Sequence, residues 1–241
     1  MSRRRLSRPA RRIARLLARG LLLAFLILLG YELWIFGQVW WWRGHDPELT
    51  AFMAQDLERL RANNPRARIK HTWVDYRQIT PDLKRALIAA EDARFLEHEG
   101  FDWDGIQDAF EKNLRKGRIV AGGSTISQQL AKNLFLSRDR SYLRKAQEAL
   151  ITLMIEAAMD KQRILEIYLN VIEWGDGIYG AEAAANYYFG KGAAELDDWE
   201  AAQLAAMVPR PRYYQRHRDS PQLLRRAWTI YGYMPMVAVP R

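Results

Sequence analysis

The segment from Glu91 to His98 reads EDARFLEH and contains side chains suited to acid–base chemistry. Glu91 follows Leu83 and Leu87 at intervals of four residues, so a helix would place it on an apolar stripe. Burial there disfavours the charged carboxylate and raises its pKa, which tunes a glutamate to accept a proton near neutral pH. A paired or partly exposed structural glutamate would show the same pattern. Glu91 is therefore a candidate general base that needs supporting residues.

A glycine pair at residues 122–123 leads into a predicted helix start, because Thr125 and Gln128 have the spacing of a capping box. The backbone amides and dipole at such a start suit a phosphate or pyrophosphate. Ser124, Gln128 and Lys132 are spaced by four residues, which predicts a hydroxyl, an amide and a cation on one helix face. An ordinary capped helix with a solvated polar face is the alternative.

A second polar run follows, in which Arg140, Arg144 and Glu148 are spaced by four residues and Lys145 lies beside them. Such a run is most often a surface ladder of ion pairs. Beside the glycine pair, it could instead supply positive charge to an anionic substrate.

Several other kinds of site have no support in the sequence. Neither polar motif has the spacing of a nucleotide P-loop, and the four histidines show no metal-ligand spacing. The absence of cysteine excludes disulfides and thiolate zinc sites.

The first 42 residues predict an uncleaved membrane anchor. Residues 21–42 are mostly apolar, end in three tryptophans, and match the roughly 20 residues that a bilayer core requires. The arginines before them should stay in the cytoplasm, which places the rest of the chain outside it. A cleavable signal peptide is the alternative, but no Ala-x-Ala site follows the apolar run.

The net charge of +9 belongs to the basic tail. Eight of the 37 lysines and arginines lie in the first twenty residues, so 37 − 8 = 29 remain against 28 acids. Nucleic acid is therefore an unlikely partner.

Apolar periodicity predicts a mainly α fold, since no set of alternating strands occurs. Thr80 and Pro81 begin a helix that should run to about His98. A membrane-proximal helix should end near Pro65, and residues 69–76 should be extended. Further helices are predicted at residues 125–136, 141–159, 161–172, 179–189 and 197–207.

Together these segments resemble the glycosyltransferase domain of bacterial peptidoglycan polymerases, specifically the monofunctional biosynthetic peptidoglycan transglycosylases of glycosyltransferase family 51. The resemblance covers roughly residues 72–214, with five motifs in the family's order: 91–102, 122–133, 144–148, 166–191 and 200–211. Ser127 stands where the family usually has threonine. Gln147 stands where many members have lysine, which weakens one phosphate contact. The Ser-x-x-Lys and Lys-Thr-Gly motifs of an additional transpeptidase do not occur.

The resemblance implies a lysozyme-like helical domain with a small membrane-proximal lobe, which polymerises lipid II into β-1,4 glycan strands and releases the lipid pyrophosphate. It implies that Glu91 is the base and that Glu148 orients nearby cations or the donor. The substrate-binding residues implied are Gly122, Gly123, Ser124, Thr125, Gln128, Gln129, Lys132, Arg140, Arg144, Lys145 and Asn170. No metal ligand or required cofactor is expected, although a divalent cation (Mg or Mn) could bridge the pyrophosphate.

The implied organisation is a single-pass protein of the bacterial inner membrane with a periplasmic catalytic domain. Its partners would be lipid II, the growing glycan, the membrane and other wall-synthesis or division proteins. The parts are a basic cytoplasmic tail (1–20), a transmembrane anchor (21–42), a membrane-proximal segment (43–71), the glycosyltransferase domain (72–215) and a C-terminal helical extension (216–241).

Two alternatives remain open. A peptidoglycan-cleaving enzyme on the same lysozyme-like plan would use a buried glutamate as general acid and would need fewer cations. An inactive membrane scaffold for wall synthesis would have lost the site residues, whereas they are present here.

Overall fold

The computed structural model describes residues 8–118, 122–139 and 141–241, and the chain forms two units, residues 1–41 and 42–241. In the first unit, one helix, α1, spans Arg8–Trp41. Its segment Ala14–Trp41 is long and apolar enough to cross a membrane. At about 1.5 Å per residue this segment exceeds the roughly 30 Å of a bilayer core. The helix also continues into the predicted basic tail, because arginine is a good helix former.

The second unit is mainly helical, as predicted. Its α-helices are α2 (Ala51–Asn63), α3 (Pro81–Glu91), α4 (Trp103–Lys116), α5 (Ile126–Phe135), α6 (Tyr142–Ala158), α7 (Lys161–Val171), α8 (Ala181–Phe189), α9 (Asp198–Met207), α10 (Pro211–Arg216) and α11 (Pro221–Tyr233). Short 3₁₀ turns lie at Tyr76–Gln78 and Met234–Met236.

A small sheet joins distant parts of this unit. Its strands are β1 (Lys70–His71), β2 (Glu173–Gly175) and β3 (Ile178–Tyr179), in the order β1-β3-β2. β1 runs parallel to β3, and β2 runs antiparallel to it. The predicted extended stretch 69–76 therefore contributes only two paired residues.

The prediction that α3 continues to about His98 is wrong, because the helix ends at Glu91. Asp92 leaves the helical conformation, with φ −162° and ψ 72°. Its carboxylate instead accepts hydrogen bonds from the backbone N–H of Ile126 (2.9 Å) and pairs with Nε2 of His98 (2.9 Å). These contacts with residues outside the helix thus decide where α3 ends, although the local spacing of apolar residues predicts a longer helix.

No helix is predicted at residues 103–116, where α4 lies. Asp102 caps its start by accepting from the N–H of Gly105 (3.0 Å), and Gly117 ends it in the left-handed region at φ 61°. Three large apolar side chains of this helix are exposed: Trp103, Phe110 and Leu114. Together with Ile106 they recur at intervals of three and four residues, so α4 has a clear apolar stripe, most of which is exposed.

Two groups of packed helices support Glu91: α3 packs on α9 and α11, and α5 packs on α6 and α7. Leu83 and Leu87 of the predicted α3 stripe are fully buried. Tyr168 of α7 and Leu130 of α5 are also fully buried. These side chains fix the C-terminal end of α3, where Glu91 lies.

Candidate active site

Glu91 is the last residue of α3, and its side chain is 12% exposed. Its Oε2 accepts a hydrogen bond from Nε2 of Gln129 (2.8 Å), and its Oε1 accepts one from an Nη of Arg226 (3.1 Å). The hydroxyl of Tyr168 donates to Oε1 of Gln129 (3.0 Å), which orients the amide so that its NH₂ faces Glu91. Each carboxylate oxygen is thus held by one donor and keeps acceptor capacity for another.

Burial raises the pKa of Glu91 above its ordinary value. The hydrogen bond from Gln129 and the positive charges of Arg226 and Lys132 oppose that shift without cancelling it. Glu91 can therefore accept a proton at a pH nearer to neutral than an exposed glutamate can.

The glycine pair lies beside Glu91 because α3 and α5 meet end to end. Asp92 accepts from the first amide of α5, and Oγ1 of Thr125 donates to the carbonyl of Gly100 (2.7 Å). A cleft of about 180 Å³ results, whose wall includes Glu91, Gly122, Gly123 and Ser124. A Cβ at Gly123 would lie 3.2 Å from Cα of Ile106, so the backbone approaches closely there.

Glu148 is a second buried carboxylate, with its side chain 4% exposed. It accepts a hydrogen bond from Arg144 Nη1 (3.2 Å) and forms an ion pair with Lys145. Arg144, Lys145 and Glu148 of the predicted polar run therefore form a ladder on α6, and this ladder ends at a buried carboxylate.

Lys132 links the two carboxylates electrostatically. Burial lowers its pKa, the positive charges of Arg144 and Lys145 lower it further, and the negative charges of Glu148 and Glu91 oppose the change. Within the described part of the chain, Lys132 forms no ion pair at contact distance. Its Nζ lies 6.0 Å from the ring centroid of Phe52, and a half-buried cation without an ion-pair partner suits an anionic ligand.

Other predicted site residues have structural partners. Thr125 and Gln128 form the predicted capping box of α5, and both side chains are buried. Asn170 is fully buried and exchanges hydrogen bonds with the backbone of Val74 (3.0 and 2.9 Å). Their roles in substrate binding stay predictions.

The prediction that Ser124, Gln128 and Lys132 share one helix face is wrong, since Ser124 precedes the N-cap and lies in the cleft wall. Arg140 lies outside the described residues. Gln129, rather than its neighbour Gln128, is the amide that contacts Glu91.

Sequence reasoning missed Arg226. It lies on α11, in the segment assigned to a C-terminal extension, and reaches Glu91 across 135 positions of the chain. No local spacing signals that contact. Only the packing of α11 against α3 and α9 reveals it.

The described residues therefore place a carboxylate of raised pKa and a half-buried cation near one another. Glu91 can take a proton from a hydroxyl in the cleft, and Lys132 with the α6 cations can stabilise negative charge. This combination suits the transfer of a group from an anionic leaving group to a hydroxyl.

Comparisons with known proteins agree with this chemistry. A family model described as transglycosylase matches residues 58–234. Proteins named biosynthetic peptidoglycan transglycosylase are 58% identical to this chain in Laribacter hongkongensis, Chromobacterium violaceum and Thiobacillus denitrificans. The alignments cover 93%, 92% and 96% of this chain and 98%, 96% and 100% of the respective relatives.

These matches extend across nearly the whole chain, and they favour polymerisation over the cleaving-enzyme and scaffold alternatives. The mainly helical fold agrees with the lysozyme-like domain of that family. The chain therefore belongs to the transglycosylase family of peptidoglycan glycosyltransferases, which polymerise glycan strands in cell-wall synthesis.

Proposed function

We propose that Glu91 is the general base of glycan polymerisation from lipid II. It removes the proton from the 4-hydroxyl of the acceptor sugar as that oxygen attacks the anomeric carbon of the donor. The bond from that carbon to the lipid pyrophosphate breaks, and the pyrophosphate leaves as an anion. The observation that carries this assignment is a cleft-lining carboxylate whose pKa is raised by burial and whose two oxygens are held by Gln129 and Arg226.

The leaving pyrophosphate needs positive charge and hydrogen-bond donors more than it needs a proton. Lys132, Arg144 and Lys145 supply the charge, and Arg140 joins them by the resemblance to the family. Glu148 holds Arg144 and Lys145 in place.

The start of α5 supplies the hydrogen bonds of the donor site. Ser124 and the backbone of Gly122 and Gly123 line the cleft. Thr125 and Gln128 shape that start through the capping box, and Gln129 orients Glu91.

Purified full-length protein and lipid II provide the test. The wild-type protein should form glycan polymer, and Glu91→Gln should form at least about 10²-fold less while keeping its circular dichroism spectrum. Glu99→Gln, a change at an exposed glutamate nearby, should polymerise like the wild type. Unchanged polymer yield from Glu91→Gln would remove Glu91 from the mechanism.

The proposed location is the bacterial inner membrane, with the catalytic unit on its periplasmic side. The 28-residue apolar segment of α1 and the arginines before it support this orientation. It would bring the cleft to the membrane that holds lipid II and beside other wall-synthesis or division proteins.

The absence of native cysteine allows a clean topology test. In intact spheroplasts, a membrane-impermeant maleimide should label Ala194→Cys in an exposed loop but not Ser2→Cys. Labelling of Ser2→Cys alone would reverse the proposed orientation. Labelling of both after permeabilisation shows that both cysteines can react.

The chain is proposed to need no resident cofactor, with any divalent cation arriving on the substrate pyrophosphate. Positive side chains rather than acidic clusters surround the donor site, which favours direct contact with phosphate. Polymerisation should therefore continue in EDTA at a reduced rate and recover with Mg²⁺ or Mn²⁺. Complete loss in EDTA would indicate a required metal.

A further inference from the structure

The C-terminal helix α11 contributes a side chain to the catalytic carboxylate. Its buried residues Leu223, Ala227 and Ile230 form a helical stripe that packs against α3 and α9. Arg226 lies three residues after Leu223 and four before Ile230, at the edge of that stripe. The packing of α11 thus delivers its guanidinium to the end of α3.

One Nη of Arg226 bonds two groups of that end, Oε1 of Glu91 at 3.1 Å and the carbonyl of Ala90 at 3.4 Å. Gln129 holds the other oxygen of Glu91 from α5. The carboxylate is therefore fixed between two helices that approach it from different parts of the chain.

The contacts of Arg226 favour a functional role over a purely stabilising one. Its Nε is buried and has no hydrogen-bond partner among the described residues. An unpaired buried donor costs stability, so the guanidinium is not placed to satisfy all its own hydrogen bonds. Its side chain is 37% exposed, and the carboxylate that it contacts is the one that lines the cleft.

We infer that Arg226 is a positioning residue for the general base: through its hydrogen bond and positive charge it holds the carboxylate of Glu91 in the orientation that faces the acceptor hydroxyl. This inference rests on the proposed role of Glu91. It assigns to α11 a part in catalysis that neither the sequence motifs nor the comparisons indicate.

The charged and titratable groups around Glu91 determine the expected pH effect. They are Arg226 on α11, Lys132 on α5, Tyr168 on α7 and the adjacent Asp92. Arg226 and Lys132 favour the ionised form of Glu91. Loss of Arg226 alone should raise the pKa of Glu91 further, so that activity is lost at a higher pH as the solution is acidified.

The experiment measures kcat/KM for lipid II polymerisation against pH with full-length protein. The acid limb of this profile is the range in which activity falls as the pH is lowered. In Arg226→Gln the acid limb should move to higher pH by about one unit, and activity near that limb should fall roughly tenfold. Arg226→Lys keeps the positive charge and should return the limb toward its wild-type position. Arg225→Gln, a matched change at the exposed neighbouring residue, should leave the profile unchanged.

A uniform loss of activity in Arg226→Gln without movement of the limb would overturn the inference, because a merely structural role predicts that result. An unmoved limb with full activity would overturn it as well. Glu91→Gln in the same series separates the two proposals. If that variant remains active, the assignment of the base fails; if it is inactive while the Arg226→Gln limb is unmoved, only the role of Arg226 fails.

Discussion

Glu91 and Glu148 are both largely shielded carboxylates, with side chains 12% and 4% exposed, but they have different partners. Glu148 contacts two cations from its own helix, Arg144 and Lys145. Glu91 contacts one neutral amide and one arginine, which come from two other helices. The surroundings of Glu91 favour proton transfer, whereas those of Glu148 favour the ordering of positive charge.

Lys132 lies in the field of both carboxylates, so its replacement should affect activity more than a change at Gln129, Gln128 or Lys145. Lys132→Met removes a half-buried positive charge from the donor site. We expect kcat to fall by about 10²-fold or more, the loss typical of removing one preorganised group that stabilises developing charge. Steady-state polymerisation measures it, with Lys112→Met at an exposed lysine of α4 as control. A loss below threefold would mean that the two carboxylate regions act independently of Lys132.

Gln129→Met tests the Glu91 side of the comparison alone. The hydrogen bond from Gln129 lowers the pKa of Glu91 against the effect of burial, so its loss should raise that pKa further. The base works when ionised, and the acid limb of kcat/KM should therefore move to higher pH by about half a unit to one unit. A limb that moves to lower pH would contradict the account of Glu91.

Gln128→Met changes the neighbouring amide, which belongs to the capping box. It should lower the melting temperature, with an expected loss of about 1 kcal/mol of stability, and leave the acid limb in place. This pair of variants separates a contact with the base from a contact that supports the helix.

Lys145→Ala tests the Glu148 side and should affect activity less than Lys132→Met, since the lysine side chain is 47% exposed and solvent screens its charge. We expect KM for the donor to rise several-fold, up to about tenfold, with a smaller change for the acceptor. Varying the donor and acceptor concentrations separately measures the two effects. Equal losses would count against the assignment of this cation to the donor pyrophosphate.

The same comparison explains what the sequence could predict. The contacts of Glu148 lie three and four residues away on one helix, so spacing alone indicates them. The capping box of Thr125 and Gln128 is local in the same way and is confirmed. Apolar periodicity is local as well, and it predicted the mainly helical fold that the structure has.

The contacts of Glu91 could not be predicted from local spacing. Asp92 ends α3 through a contact 34 positions away, and Arg226 reaches Glu91 from 135 positions away. The choice between the adjacent residues Gln128 and Gln129 depends on the rotation of α5 against α3. Such contacts arise from packing between helices, and no local pattern specifies them.

The most direct test of the central claim measures donor binding and turnover in Glu91→Gln and Glu148→Gln. A lipid-linked disaccharide that lacks the 4-hydroxyl can bind as a donor but cannot accept a further sugar, so it measures donor binding. Glu91→Gln should bind it with a nearly wild-type Kd while turnover of lipid II falls by about 10²–10⁴-fold. Glu148→Gln should weaken its binding by about tenfold and regain much of its turnover at saturating donor. The opposite pattern, with weakened binding in Glu91→Gln and lost turnover at intact binding in Glu148→Gln, would contradict the assignment of base and cation-holding roles.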